Sequence, residues 1–265
     1  GLPELSEKEL KQNLIIASSY SGNTEEVIAA YQEAKKKKLA LAVIAVGGKL
    51  IELAKKDGVP YIQLPNTGIQ PRSALGFSLL AHFKIFGLER ELKQSAALAK
   101  QLDIKETERI GKALAHNLKD RVPVIYASRA NETVAWNWKI KFNETGKAPA
   151  FYNVIPELNH NEMNGFDVAP SSKHLSSLFH FILLKDAADD KRNRKRMEVV
   201  EKLYRDRGLP VTSLELTGKN YFAKIFSSLL IADWTALYTS ELYGLESEQV
   251  PMIEEFKKLI QSPPS

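Results

Sequence analysis

Residues 13–19, NLIIASS, form an apolar run of strand length, and TEEVIAAYQEAKKKK after them spaces its apolar positions at helical intervals, with acids in the first turn and lysines in the last. The alternation continues. LALAVIAVGG reads as a buried strand ending in glycines, KLIELAKKDG as a helix closed by Gly58, and VPYIQLP as a short strand. Strand, helix and strand in this order predict a parallel sheet, because parallel neighbours need a crossover. A long helical region follows from about Ser73 through ERELKQSAALAKQLD, then a helix through ETERIGKALAHNLKD. RVPVIYAS starts a strand again and TVAWNWKIKFNETGK a helix, so a second α/β half begins near Lys105. It continues with the strand SSLFHFILLKD, a helix over DDKRNRKRMEVVEKLYRDRG ending at Gly208, and the strand LPVTSLEL. Two helices, YFAKIFSSLLIADWTALYTSELYG and QVPMIEEFKKLIQ, close the pattern. The expected organisation is α/β throughout, with subdomains at 1–104 and 105–265 and no short-period repeat.

Composition narrows the chemistry. At 265 residues and 44% apolar content the chain can bury ordinary cores. With no cysteine it has no disulfide, no thiolate zinc site and no cysteine nucleophile. Neither a run of about 18 apolar residues nor a signal-peptide layout occurs, so the expectation is a cytoplasmic protein without a membrane partner. The net charge of +5 suits an anionic partner. Its densest runs, KKKK at 35–38 and KRNRKR at 191–196, carry no interleaved aromatics and sit beside predicted helices. They read as solvated faces, and no nucleic-acid partner is expected; a small anionic substrate accounts for the charge equally well.

The chemistry concentrates first in ASSYSGNTEEV, residues 17–27. In doubly wound sheets ligands bind beyond the carboxyl ends of strands, where amides at a helix start face an anion. Ser19, Ser21 and Thr24 lie in that position, Gly22 permits close backbone approach, and Asn23 tolerates unusual turn geometry. A simpler account is that Asn23 or Thr24 only caps the helix beginning at Glu25. One cap needs one such side chain, whereas this turn offers several. No P-loop or dinucleotide fingerprint lies nearby.

At these residues the chain resembles a known family. SYSGNTEE is similar to the phosphate loop of sugar isomerase (SIS) domains, and later segments narrow the resemblance to the bifunctional phosphoglucose/phosphomannose isomerases. These are GGKLIELAKKDGVPYIQLP with QPRSALGF, NETGKAPAF with PELNHNEMNGFD, and VPMIEEFKKLI, in the family's order and over nearly the whole chain. The resemblance implies two three-layer αβα subdomains with mainly parallel sheets, a sugar-phosphate substrate, no cofactor or metal, and a homodimer. It implies isomerisation of glucose 6-phosphate and mannose 6-phosphate to fructose 6-phosphate. Such a reaction moves a proton between C1 and C2 through an enediolate, and needs a base, a ring opener and positive charge near the oxyanion.

By position in the matching motifs, Glu162 resembles the family's proton-shuttling glutamate, in a polar loop after a strand-like segment. Taken alone it would be a solvated surface acid. Arg72 follows a proline and supplies a planar fork for the enediolate; without the resemblance it is equally a surface arginine. Lys257 matches a lysine that contributes charge at the sugar ring, with Lys258 its neighbour. The family's ring-opening histidine follows the glutamate and comes from the neighbouring subunit. His174 and His180 both fall near the right distance, and His180 is preferred because its strand anchors the comparison, although a buried strand histidine is an equal reading. His160 is placed to orient the glutamate loop, and His82 and His116 are left as structural or surface residues.

Family members carry a further strand, a Gly/Ser-rich turn and a helix before the segment matched by GLPELSEKELKQNLIIASSYSGNT, so the first subdomain is expected to be truncated at its N-terminus. Asn137 stands where arginine is expected, and NETGK replaces an Asn-Glu-Asn-Ala-Lys pattern. The alternative function is a sugar-phosphate-binding protein without catalysis.

Overall fold

The computed structural model describes residues 1–261, and the chain divides into two compact units, Gly1–Ala96 and Ala97–Ser265. In the first, elements run α1 (Glu7–Gln12), β1 (Ile15–Ser18), α2 (Glu25–Lys36), β2 (Leu41–Ala45), α3 (Gly48–Asp57), β3 (Tyr61–Gln63), α4 (Leu75–Ile85) and α5 (Glu89–Ala96). The strands pair in parallel in the order β1-β2-β3. Alternation along the strands splits the core into two layers. Ala17, Val43 and Ala45 pack with Tyr31 and Ala34 of α2 and Leu50 and Ala54 of α3, while Ile16, Ile44 and Ile62 face Phe77, Ala81 and Ile85 of α4. The result is helix, sheet, helix.

The long helical region expected from about Ser73 is helical in three pieces, α4, α5 and a further helix. Gly87 takes φ +65 after α4, a left-handed step that ends a helix, and α5 starts afresh. The second unit begins earlier than residue 105: α6 (Leu98–Gln101) belongs to it, since Gln101 Oε1 accepts a 2.7 Å hydrogen bond from Asn220 Nδ2.

That unit continues with α7 (Ile104–Asn117), β4 (Val122–Ser128), α8 (Glu132–Glu144), β5 (Phe151–Ile155), α9 (Glu162–Gly165), α10 (Lys173–Ser176), β6 (Phe179–Lys185), α11 (Lys191–Asp206), β7 (Val211–Glu215), α12 (Tyr221–Leu242) and α13 (Pro251–Gln261). Its sheet is parallel with the order β5-β4-β6-β7, so the chain reverses its direction of winding at β4. Ligands of doubly wound sheets bind beside such a reversal. One face, with Val124, Tyr126, Phe181 and Leu183, packs on Met197, Val200 and Tyr204 of α11. The other is covered by α8, which in turn packs on α12: Trp138 Nε1 donates to Ser228 Oγ at 2.9 Å and the buried Lys141 ammonium meets Asp233 at 2.5 Å.

Helix α12 also crosses α7. The crossing point is Gly111, where an added Cβ would stand 2.5 Å from Trp234 Cβ and 2.9 Å from the Thr235 amide nitrogen. Gly111→Ala must therefore push the helices apart, and thermal unfolding is expected to show a loss of about 1–3 kcal/mol, the usual range for overpacking.

Candidate active site

The hydroxyl turn leaves the carboxyl end of β1 and folds on itself. Ser19, 7% exposed, places its Oγ 2.8 Å from Thr24 Oγ1 and accepts from the Gly22 amide at 3.2 Å; Ser21 Oγ accepts from the Asn23 amide at 3.2 Å. Thr24 is the N-cap residue of α2, yet its side chain makes no capping bond. The cap account of this turn therefore fails for Thr24, whose hydroxyl is held by Ser19 instead. Asn23 does not cap α2 either: its Oδ1 accepts from the Lys49 amide at 3.0 Å, at the start of α3.

Two glycines lock this turn to the one after β2. Gly22 has φ +74, and a Cβ there would fall 1.9 Å from the Gly47 carbonyl oxygen; at Gly48, φ +68, a Cβ would meet Asn23 Oδ1 and the Ser21 carbonyl oxygen at 2.6 Å each. No other residue fits either place. The backbone closes the same seam, with the Leu50 amide donating to the Gly22 carbonyl at 2.9 Å and the Val46 amide to the Tyr20 carbonyl at 2.8 Å. The exposed hydroxyls of Ser21 and Thr24 thus stand on a rigid turn at a positive helix start, an arrangement suited to a phosphate group. Arg72 is 9% exposed in the 3-10 turn Pro71–Ser73, on the connection that leaves the carboxyl end of β3.

In the second unit the corresponding position, the carboxyl end of β4, is built differently. Ser128 Oγ donates to Asp189 Oδ1 at 2.6 Å, Asn131 Nδ2 reaches Asp186 Oδ2 at 3.2 Å, and the Lys224 ammonium pairs with Asp186 at 2.5 Å. Both carboxylates are buried. This end is filled, and its acids oppose a second anion.

Glu162 opens α9 in the connection that follows β5, the strand-like segment expected before it. Its side chain is partly buried, not solvated, and both oxygens are held: Tyr126 Oη donates to Oε1 and Asn153 Nδ2 to Oε2, each at 2.5 Å. Burial pushes the Tyr126 phenol far above its ordinary range, so it remains a donor. A fixed carboxylate with neutral donors on it is equipped to exchange a proton with a ligand.

His180 is not brought to this group. In β6 it pairs with Pro123, and alternation puts it on the face opposite Phe181 and Leu183, which share the face of Tyr126. It is 5% exposed, its Nε2 lies 2.8 Å from Thr212 Oγ1, and burial, helped by the Arg121 charge, lowers its pKa from 6.5 to about 4. This is the buried strand histidine of the alternative reading. His174 is exposed on α10. His160 does not touch the Glu162 carboxylate but lines, with Asn161, Asn164 and Arg207, a cavity of about 560 Å³. Lys257 is exposed on α13, its ammonium 2.7 Å from Glu254. Among the described residues there is no group of three or more His, Cys, Asp or Glu able to hold a metal ion, and no helix long and apolar enough to cross a membrane.

Residues 107–260 match the family model of the bacterial phospho-glucose isomerase C-terminal SIS domain. Over 260 residues the chain is 36% identical to the bifunctional phosphoglucose/phosphomannose isomerase of Caldicellulosiruptor bescii, covering 93% of this chain and 76% of that protein. The chain belongs to the bifunctional phosphoglucose/phosphomannose isomerase family. The protein of that name from Aquifex aeolicus is 31% identical over 245 residues, 92% of this chain and 75% of its own length. A solved structure of a hypothetical protein from Thermus thermophilus has the same fold, with a TM-score of 0.71 at 16% identity over 97% of this chain and 72% of that one. The family model spans Glu162, both candidate histidines and Lys257.

Tyr126 and Asn153, which hold Glu162, have no motif of their own. Tyr126 lies within an apolar strand, and only its pairing with Asn153 across β4 and β5 places the two donors side by side.

The buried neutral His180 makes stability depend on pH. Unfolded, the ring takes a proton near pH 6.5; folded, only near pH 4. Its contribution is complete above pH 6.5 and is lost as pH falls towards 4, amounting to about 3 kcal/mol at most. Urea unfolding at a series of pH values should show this slope in the wild type and a flatter one in His180→Gln, with acidic groups common to both.

Proposed function

We propose that this chain interconverts glucose 6-phosphate and mannose 6-phosphate with fructose 6-phosphate through an enediolate, as the names of its relatives describe for them. The observation that carries the reading is Glu162, a partly buried carboxylate fixed at both oxygens beyond the carboxyl end of a parallel strand. After ring opening, Glu162 takes the proton from C2 and returns it to C1. The intermediate is planar at C2, so both aldoses, which differ only in configuration there, converge on it. That convergence accounts for two substrates in one reaction.

Ser19, Ser21 and Thr24 hold the phosphate with neutral donors and the α2 helix start. Arg72 steadies the enediolate, whose charge its guanidinium offsets. Lys257 contributes charge at the ring, and a histidine opens it. Exposure favours His174 over His180 for that task. Beside His174 on α10, Leu175 is 64% and Leu178 is 58% exposed, a surface suited to burial against a second copy. A homodimer in the cytoplasm, without metal or organic cofactor, completes the reading.

Glu162→Gln keeps the shape and one of the two acceptor oxygens but removes the base. A coupled assay for fructose 6-phosphate should show kcat reduced about 10²–10⁴-fold, the range for a general base. Sugar-phosphate binding by calorimetry should stay close to wild type. Full turnover in that variant would sink the assignment, and a wild type that binds without turning over would support the non-catalytic alternative.

A further inference from the structure

The geometry points to Tyr126 and Asn153 as the positioning residues of the glutamate, a pair set by strand register, with Tyr204 as the donor behind Tyr126. Tyr126 on β4 and Asn153 on β5 are register partners, directly opposite across the parallel pair and on one face of the sheet. Glu162 lies above that pair and receives one hydrogen bond from each, on different oxygens. A carboxylate held this way cannot rotate about its terminal bond. Each oxygen keeps a free lone pair, and its direction towards a ligand is set by the sheet.

The donors are themselves oriented. The Val154 amide donates to Asn153 Oδ1 at 2.7 Å, which turns the Asn153 amide nitrogen towards Glu162. Tyr126 is fully buried, and its hydroxyl lies 3.3 Å from Tyr204 Oη as well as 2.5 Å from Glu162. An ionised carboxylate only accepts, so the single Tyr126 proton points to Glu162 and the Tyr204 hydroxyl donates to Tyr126. The relay therefore has one direction: Tyr204 to Tyr126 to Glu162. Hydrogen bonds in such a series polarise each other. Rings keep it in place, with Phe181 centred 4.4 Å from Tyr204 and 5.5 Å from Tyr126. The backbone under Glu162 is held too, its amide donating to Asn161 Oδ1 at 2.5 Å while Asn161 Nδ2 donates to Glu157 at 2.8 Å.

The inference rests on the isomerase reading and adds what aims the base. Its test uses Tyr126→Phe, Asn153→Ala and Tyr204→Phe in the full-length protein, with both aldose phosphates and with substrate deuterated at C2. Loss of either direct donor should lower kcat about 10- to 100-fold, as for a hydrogen bond to a charged group, with KM nearly unchanged. The primary isotope effect on kcat should rise as proton transfer becomes the slow step. Tyr204→Phe should show the same pattern more weakly. Thermal unfolding identifies any variant that fails to fold, and Asn153→Ala, at a partly buried position, carries the test if Tyr126→Phe does. Folded variants with the wild-type kcat and isotope effect would overturn the inference alone. So would a fall in kcat without a change in isotope effect, which indicates a structural role. A wild type inert on both substrates would overturn the isomerase reading and this inference together.

Discussion

The parallel register of β4 against β5 is the constraint on which the proposed chemistry depends. It puts a phenol and an amide side by side on one sheet face, and the glutamate beyond them is held by that juxtaposition. A slip of β5 by one residue would turn Asn153 to the other face and leave Tyr126 without its partner. Register in turn is fixed by burial. Val124, Phe181 and Leu183 must meet α11, while Ile125, Ile182 and Leu184 are buried on the far side. The hydrophobic pattern of the sheet thereby determines where a charged group stands, linking core packing to the direction of a proton.

In the first unit the same economy uses backbone. The turns after β1 and β2 interlock through Gly22 and Gly48, so the hydroxyls above them are set by main-chain contacts that no side chain could replace. Little conformational freedom remains to be lost when a ligand arrives, and preorganisation of this kind favours tight binding by few groups.

Much of this was legible in the sequence where the information is local. The strand, turn and helix order predicted parallel sheets and the hydroxyl turn stood out as a short motif, whereas Glu162 was singled out only by the family resemblance. What escaped was non-local or was hidden by burial. Tyr126 reads as one more apolar strand position, and its partner becomes visible only when β5 is aligned beside β4. His180 was preferred because its strand anchors the family comparison, but a strand buried on both faces leaves it a buried histidine with a lowered pKa. The helical region after Ser73 did not show where its helices divide, because Gly87 is a single residue in a strongly helical context. The filled carboxyl end of β4 was invisible because Asp186 and Asp189 reach Ser128 and Asn131 from another strand's connection.

That filled end has a thermodynamic consequence. The first unit offers a helix start without a side-chain cap and with exposed hydroxyls, whereas the equivalent place in the second is occupied by two carboxylates and the Lys224 ammonium. An anion that binds only the folded form stabilises what it touches, by linkage. Inorganic phosphate or sulfate held at the first turn would protect that unit against unfolding and leave the intrinsic stability of the second unchanged. The two halves, built on the same plan, would then melt with different sensitivities to buffer, and the cooperativity of denaturation would itself depend on which anion is dissolved with the protein.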